Sequence, residues 1–354
     1  MKKLLRGGFV VTPRGSRRAD VLLDGEKIAQ VGHISPAEAK SAEVTDVSGC
    51  YLFPGFIDAH THFDLDVCNT TTADDFASGT RSAIRGGTTT IIDFACPNKG
   101  ETLAYGLDLW HKKADGKCSC DYGFHMTIDD WNEGIEGELD DMFAAGITSF
   151  KMYLTYPAMM IGDGAVYSAL KALKKRGGIA GVHCENAGVI DALIEQHKAA
   201  GDVGPSAHPR CRPNPLEAEA VAHLLRICEV ADTPVVIVHL STKEALGEVL
   251  AARARGQKVY VETCPQYLLL DESVYYASDY SQAARYICAP PIREKANQEV
   301  LWRGLRRGEI CALQWNDLNL KTGALQVERQ VHRVRGKLVV SPPKTTAGRR
   351  TVLL

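Results

Sequence analysis

The sequence predicts an α/β fold, a (β/α)8 barrel, and two patterns support this prediction. From residue 51 onward, short apolar runs alternate with segments that have helical spacing, which is typical of βαβ units around a parallel sheet. Polar residues also recur at the predicted carboxyl ends of these runs, where the active sites of such barrels lie. Alternation alone leaves an open parallel sheet as the alternative, and seven repeats in roughly 210 residues favour the barrel.

Seven of the eight strands of such a barrel can be recognised, and a smaller β region precedes them. The predicted strands are 51–57, 88–94, 122–128, 149–154, 179–184, 234–240 and 258–263, and the predicted helices include 167–175, 189–200, 215–230 and 243–255. In residues 1–50, short apolar runs flank Asp24-Gly25, which is a strong hairpin signal. We expect residues 1–50 to form a partial β-sandwich subdomain beside the barrel.

The composition is typical of soluble globular proteins. The chain has 354 residues, enough to bury a large core, and its net charge is only -2. No apolar run approaches the roughly 18 residues that a membrane span needs, and the first residues lack the apolar segment of a signal peptide. Several of the eleven cysteines lie in or beside apolar strands, as reduced, buried thiols do. We therefore expect a cytoplasmic protein that does not contact a membrane.

A His-x-His pair ends the first predicted strand. Because side chains alternate between the two faces of a strand, His60 and His62 should point to the same side at its carboxyl end. Neutral imidazole is the commonest metal ligand, so the pair would be half of a metal site. The alternative is one histidine in the core and one in solvent, and for an isolated His-x-His that alternative would be the better one. The later strands favour the metal site.

Three further polar residues lie in or at the end of later predicted strands, namely Lys151, His183 and His239. A buried histidine often only bonds to a backbone carbonyl, and a lysine can extend outwards to solvent. A lysine inside an apolar strand is harder to explain as a purely structural residue, because burying an unpaired ammonium is costly. Four histidines and one lysine at or near the predicted strand ends of one barrel therefore predict a shared site.

These residues, together with several longer motifs, resemble the amidohydrolase superfamily and in particular its dihydropyrimidinase and D-hydantoinase branch. The resemblance runs over residues 1–310. Besides the histidine and lysine strands, it includes Gly86-Gly87-Thr88-Thr89-Thr90-Ile91-Ile92-Asp93, Glu262-Thr263-Cys264-Pro265-Gln266-Tyr267 and Cys288-Ala289-Pro290-Pro291-Ile292-Arg293. It implies a TIM-like barrel of the metal-dependent hydrolase type.

The resemblance also implies a centre of two divalent metal ions, usually zinc. The ligands that it implies are His60 and His62 for one ion, His183 and His239 for the other, and a carbamylated Lys151 that bridges them. Carbamylation replaces a cation with an anionic oxygen ligand, which would account for a lysine in an apolar strand.

The resemblance further implies a substrate and a reaction. Tyr156 matches the tyrosine that donates a hydrogen bond to the developing oxyanion, and backbone groups around Cys288 and Ala289 match the segment that binds the imide face of the ring. The implied reaction is hydrolysis of dihydropyrimidines or hydantoins to N-carbamoyl amino acids, as in pyrimidine catabolism, with Lys151 and Tyr156 as catalytic residues. The implied partners are a small cyclic amide and further copies of the chain in a tetramer, without membrane or nucleic acid.

One residue that the family requires departs from the pattern. The family has an aspartate at the end of the eighth strand, which binds the first metal and moves a proton from water to the leaving nitrogen. By the family's spacing this position falls on Asn316, and an asparagine cannot act as a carboxylate base. Asp317 is adjacent, but a one-residue slip on a strand turns a side chain to the other face. Two hypotheses follow: a hydrolase with impaired activity, or a catalytically inactive truncated scaffold.

The end of the chain resembles a different family. Residues 311–354 carry eight Lys/Arg and only two Asp/Glu, and such a shift in charge indicates a separate segment. Residues 304–317 and 343–350 are similar to parts of a tyrosine recombinase (phage integrase) catalytic domain, in which Arg306 and Lys344 would contact phosphate. That family's histidine–arginine box and nucleophilic tyrosine are missing, so recombinase chemistry is excluded.

Weak nucleic-acid affinity is the most that such a tail could retain, and a merely basic, solvated hairpin is the alternative. We therefore predict three parts. These are the subdomain of residues 1–50, a truncated amidohydrolase barrel of residues 51–310 and a basic integrase-like tail of residues 311–354, joined by a gene fusion or a sequence-assembly join.

Overall fold

The structure is a computed structural model that describes residues 2–12, 15–67 and 70–304 and, beyond residue 304, only the backbone of five short strands. The chain divides into two units. One comprises Met1–Ile57, Gly87–Thr89 and Gly308–Leu354, and the other comprises Asp58–Gly86 and Thr90–Arg307.

The first unit begins with two small sheets. Its strands are β1 (Lys2–Arg6), β2 (Phe9–Thr12), β3 (Gly15–Arg18), β4 (Asp20–Asp24), β5 (Lys27–Gly32), β6 (Ala42–Asp46) and β7 (Tyr51–Leu52). One sheet has the order β5-β4-β1-β6 and the other the order β3-β2-β7. The predicted hairpin at Asp24-Gly25 is confirmed, because Asp24 pairs with Lys27 across a turn in which Gly25 has a φ of +59°. Glycine adopts this left-handed conformation without steric cost.

The second unit is built on a seven-stranded sheet. The next strands in the chain are β8 (Phe56–Thr61), the short pair β9 (Asp66–Val67) and β10 (Thr70–Thr71), then β11 (Thr88–Ala95), β12 (Asp121–Thr127), β13 (Ser149–Tyr153), β14 (Ile179–His183), β15 (Val235–Ile237) and β16 (Val259–Val261). The sheet order is β16-β15-β14-β13-β12-β11-β8, and the strands from β11 to β16 pair in parallel. This is the order of barrel strands, although the described residues include no strand that joins β16 to β8.

Six of the seven predicted barrel strands are confirmed to within a few residues, and the first is wrong. The apolar run of residues 51–57 is divided: β7 pairs with β2 in the first unit, whereas the barrel strand β8 begins only at Phe56. Pro54-Gly55 explains the division, because proline has no N–H to donate and glycine weakens a strand interior. His60 therefore lies within the barrel strand β8.

Helices separate the strands, as the spacing predicts. They are α1 (Phe76–Arg85), α2 (Leu103–Ala114), α3 (Glu133–Ala144), α4 (Asp163–Lys175), α5 (Ala187–Ala199), α6 (Ala207–Cys211), α7 (Asn214–Ala231), α8 (Lys243–Ala254), α9 (Pro265–Leu269), a 3-10 helix (Glu272–Tyr276), α10 (Tyr280–Ala284) and α11 (Lys295–Gly304). The four predicted helices correspond to α4, α5, α7 and α8. The longest of them, α7, has a proline in its first turn, where a missing N–H costs nothing.

The core of the second unit lies between the sheet and these helices. Strand residues such as Phe150 and Val182 and helix residues such as Leu139 and Leu224 are at most 1% exposed and belong to one apolar cluster. Burying one such aliphatic or aromatic side chain is worth roughly 1.5–3 kcal/mol. The packing of these helices against the sheet therefore holds in place the strands that carry the predicted site residues.

Beyond residue 304, the described strands pair only with one another. They are β17 (Leu318–Asn319), β18 (Ala324–Val327), β19 (Gln330–Val334), β20 (Lys337–Ser341) and β21 (Arg350–Leu353). One sheet has the order β17-β18-β21, and β19 and β20 form an antiparallel pair. In the part of the chain that the structure describes, no helix has both the length and the apolar character to cross a membrane.

Candidate functional site

The four predicted histidines and the predicted lysine lie together in the second unit. His60 is in β8 and His62 follows it, Lys151 is inside β13, His183 ends β14, and His239 lies two residues after β15. The ring centroids are 5.2 Å apart for His60 and His62, 5.3 Å for His60 and His239, and 4.5 Å for His183 and His239. We call these five residues the histidine–lysine cluster.

Phe94 is the apolar surface against which much of the cluster packs. Its ring centroid lies 4.6 Å from that of His60 and 4.8 Å from that of His62, and the Nζ atom of Lys151 lies 5.1 Å from it. Phe94 is 3% exposed. The sequence alone does not single out Phe94, because a phenylalanine in a β-branched run has the pattern of an ordinary core residue.

Lys151 is buried without a polar partner. It is 0% exposed, and its Nζ has no hydrogen-bond partner among the described residues. The ring of Tyr153 also lies close, with 5.0 Å between its centroid and Nζ. Burial lowers the pKa of the Lys151 amine to about 8, because the low-dielectric interior disfavours the charged form. The amine is therefore partly available in its neutral, nucleophilic form near neutral pH.

The histidines of the cluster are neutral at pH 7. Burial lowers the pKa of His60, His62 and His239 well below the usual histidine range, and burial also lowers the pKa of His183. The charge of the neighbouring lysine acts in the same direction on all four. Neutral imidazole is the form of histidine that binds metal ions.

The side chains of the histidine–lysine cluster have the chemistry of ligands for divalent metal ions. His62 Nδ1 and His239 Nδ1, like the lysine Nζ, are buried without a partner in the described structure, and buried polar atoms normally have one. Within the described residues, no group of three or more His, Cys, Asp and Glu side chains by itself forms a site for a metal ion. Lys151 is a further candidate ligand, in the role that the family resemblance implies for it.

Two glutamates without a role predicted from the sequence form hydrogen bonds directly with the histidine–lysine cluster. His60 Nδ1 lies 2.6 Å from Glu262 Oε1, and His183 Nε2 lies 2.7 Å from Glu185 Oε2. Burial alone would raise the pKa of Glu185, but the bond from His183 and the charge of Arg212 lower it to about 2. Each glutamate follows a strand by one or two residues, and this position at a carboxyl end is the signal that could have identified them.

Asp93 organises the backbone on both sides of His62. Its Oδ2 accepts from Thr61 Oγ1 at 2.8 Å and from the backbone N–H of Phe63 at 2.9 Å. Its Oδ1 accepts from Trp110 Nε1 at 3.0 Å. Asp93 is 0% exposed, so these bonds are shielded from water. The carboxylate thereby fixes the segment that leads from β8 past the second histidine.

Tyr156 lies next to the cluster, in the loop after β13. Its ring centroid is 5.2 Å from that of His183 and 6.2 Å from that of Tyr153, and the guanidinium carbon of Arg212 lies 5.5 Å from it. Its φ of +67° is uncommon for a residue with a large side chain. Such a conformation persists only where the surroundings enforce it.

Cys288 and Ala289 lie in the loop before α11, and Cys288 contacts residues outside the histidine–lysine cluster. The backbone oxygen of Cys288 accepts from His208 Nε2 at 2.7 Å, and its thiol donates to the Pro290 oxygen at 3.4 Å. Burial raises the pKa of this thiol, so it is protonated at pH 7.

Four residues singled out from the sequence fall on positions that the structure does not describe. They are Arg306, Asn316, Asp317 and Lys344. Their predicted roles, and the missing eighth-strand carboxylate with them, lie outside the described residues.

The histidine–lysine cluster lies near the carboxyl ends of strands in a parallel α/β sheet, which is where barrel enzymes carry their active sites, and sequence comparison identifies the class of enzyme. The model of the amidohydrolase family matches residues 51–332, and this chain belongs to that family. D-hydantoinase from Streptomyces coelicolor is 42% identical over 313 residues, which are 87% of this chain and 67% of the relative. D-hydantoinase from Geobacillus stearothermophilus is 42% identical over 315 residues, 88% of this chain and 66% of the relative.

The fold comparison agrees. The crystal structure of dihydropyrimidinase from Brevibacillus agri superposes with a TM-score of 0.83 at 42% identity, covering 86% of this chain and 66% of that one. The chain thus spans about two thirds of the length of the relatives that it matches.

Proposed function

We propose that this chain hydrolyses cyclic amides of the dihydropyrimidine and hydantoin type to N-carbamoyl amino acids. The observation that carries the proposal is the cluster of four neutral histidines around a buried, unpartnered lysine. Its relatives are D-hydantoinases at 42% identity, and their names identify the substrate class.

In this proposal the cluster holds two divalent ions, zinc by the family resemblance. His60 and His62 would bind one ion, His183 and His239 the other, and Lys151, carbamylated by carbon dioxide, would bridge them. The pKa of about 8 at Lys151 supports the modification, because only the neutral amine reacts with carbon dioxide. When bound, such ions lower the pKa of water and stabilise developing negative charge.

The other proposed roles belong to the chain's own groups. Tyr156 donates its phenolic proton in a hydrogen bond to the carbonyl oxygen of the ring as negative charge develops there. Backbone groups at Cys288 and Ala289 bind the imide face and orient the ring. Phe94 and Tyr153 exclude water from the lysine side of the site, which strengthens electrostatic interactions within it.

The experiment is ring opening of dihydrouracil and hydantoin by the purified chain, expressed with zinc and bicarbonate. Turnover that disappears in Lys151→Ala supports the proposal, with Lys175→Ala on the exposed face of α4 as the matched control. A folded, zinc-loaded chain without turnover would contradict it and would favour the inactive scaffold, in which Asn316 cannot supply the proton transfer of the family's aspartate.

Several finer expectations are part of the same proposal. We propose a partial β-sandwich in residues 1–50, supported by the two small sheets there, and a cytoplasmic location, supported by the free thiols of all nine described cysteines. We further propose a homotetramer, a barrel that ends at residue 310, and an integrase-like tail. The family match to residue 332 overlaps that tail. Binding to duplex DNA at low salt would support the integrase-like tail, and no binding would favour the merely basic, solvated hairpin.

A further inference from the structure

Behind His183 lies a buried ion pair that the proposed reaction does not use directly. Glu185 is 1% exposed and Arg212 is 8% exposed, and Arg212 Nη1 donates to Glu185 Oε2 at 2.7 Å. The same oxygen is bonded to His183 Nε2 at 2.7 Å. A carboxylate that accepts from both a guanidinium and an imidazole is restrained in position, and it determines which ring nitrogen of His183 carries the proton.

Arg212 also contacts the second functional side chain on this side of the site. Its guanidinium carbon lies 5.5 Å from the centroid of the Tyr156 ring, within the range of a cation–π interaction. One guanidinium therefore touches both the carboxylate that holds His183 and the ring of Tyr156. The backbone of Arg212 is itself anchored, because its carbonyl oxygen accepts from Arg293 Nη1.

Arg293 belongs to a second buried ion pair, which reaches Ser241, two residues after His239. Its Nη2 donates to Glu217 Oε2 at 3.2 Å. Glu217 accepts from the backbone N–H of Ser241 at 2.7 Å and from its hydroxyl at 2.5 Å. Ser241 lies two residues after His239, whose φ of +39° needs support from its surroundings. The two ion pairs thus form one buried network that ends at His183 and near His239.

Burying two ion pairs is an expensive way to stabilise a fold. Apolar residues of similar volume often do as well or better, because the charges lose their hydration on burial. The network instead has a geometry that suits positioning, since it contacts a ring nitrogen of one cluster histidine and the backbone beside another. Groups that orient metal-binding histidines typically contribute 10–100-fold in metal affinity.

We infer that the Glu185–Arg212 ion pair is a positioning device for the site: Glu185 fixes the orientation and tautomer of His183, and Arg212 holds Glu185 and the ring of Tyr156 in place. Its consequence for metal affinity rests on the proposed function, whereas the orientation of His183 can be measured in the metal-free chain.

The decisive variant is the double substitution Glu185→Met/Arg212→Met. It replaces the ion pair with apolar side chains of similar length and leaves no unpaired buried charge, so the fold should be retained. Glu185→Gln is the conservative variant, since it keeps the shape and one acceptor oxygen. Leu139→Ala in α3 is the control for general destabilisation, because Leu139 is a fully buried core residue without a role in the network.

The first measurement uses metal-free protein with 15N-labelled histidine. Wild type should show a slowly exchanging, strongly downfield Nε2–H proton of His183, the double variant should lose it, and Glu185→Gln should retain it in weakened form. The second measurement is a zinc titration against a chromophoric chelator. The double variant should bind one of two ions roughly 10–100-fold more weakly, and Leu139→Ala should bind both as wild type does.

A double variant that keeps the downfield proton would overturn the inference, as would wild-type zinc affinities in a variant that has lost it. If wild type binds no zinc, the proposed function fails, and the proton signal still decides whether Glu185 positions His183.

Discussion

Replacing Lys151 by methionine should stabilise the metal-free protein, although it removes a residue of the proposed active site. Lys151 is 0% exposed, and no described residue bonds to its Nζ. Burial lowers its pKa from 10.5 to about 8, so at pH 7 most folded chains contain a buried, unpaired ammonium. Methionine has a similar length and no charge, and it removes this cost.

The size of the effect follows from the pKa. Each pKa unit corresponds to about 1.4 kcal/mol, so the burial of the ammonium costs about 3 kcal/mol. This net cost already includes the attraction between Lys151 and Glu262, which raises the pKa and opposes the effect of burial. We expect Lys151→Met to raise the free energy of unfolding at pH 7 by about 2–3 kcal/mol.

The pH dependence has a defined sign. Between pH 8 and pH 10.5, the unfolded chain binds the lysine proton and the folded chain releases it, so the stability of wild type rises with pH through this window. The advantage of the methionine variant should therefore be complete below pH 8 and should shrink as the pH approaches 10.5.

Urea unfolding followed by circular dichroism measures this effect in chelator-treated protein from which carbon dioxide is excluded. Titrations at pH 7 and at about pH 9.5 separate the contribution of the charge from that of packing. Lys175→Met, on the exposed face of α4, should change the stability little at either pH. A methionine variant at position 151 that is less stable than wild type at pH 7 would refute the reasoning.

Three further predictions concern the proposed reaction. Tyr156→Phe should lower kcat for ring opening by roughly 10²–10³-fold with bound zinc unchanged, as expected for loss of one oxyanion donor; an unchanged kcat would remove Tyr156 from the mechanism. A chelator should abolish turnover and lower the thermal midpoint of unfolding. Zinc at 100 times its Kd should then restore about 2.7 kcal/mol of stability. Activity that survives complete removal of metal would contradict the proposed metal centre. Asn316→Asp should raise kcat on the order of 10²–10⁴-fold by supplying a carboxylate base. Asn319→Asp is the control. Equal effects of the two substitutions would show that position 316 does not correspond to the position of the family's aspartate.

Much of the fold was predictable because hydrophobic spacing is a local property. The alternation of strands and helices, the hairpin at Asp24-Gly25 and the strands that carry or precede Lys151, His183 and His239 all follow from residues close together in the chain. The error at residues 51–57 arose where an apolar run continues across a change of sheet. Nothing in the local pattern distinguishes β7 from β8 except Pro54-Gly55.

The sequence by itself determined the class of fold, the family and the residues that we propose as metal ligands, because side-chain chemistry and the spacing of residues are properties of the chain itself. Only the tertiary structure decided which groups support them. Glu185 and Arg212, 27 residues apart in sequence, meet behind His183, and Glu262 reaches His60 across 202 residues. Arg212 lies between α6 and α7, and the strands next to Glu262 and His60, β16 and β8, are the two outer strands of the sheet. Neither contact can be read from neighbouring residues, because both depend on how distant parts of the chain fold together.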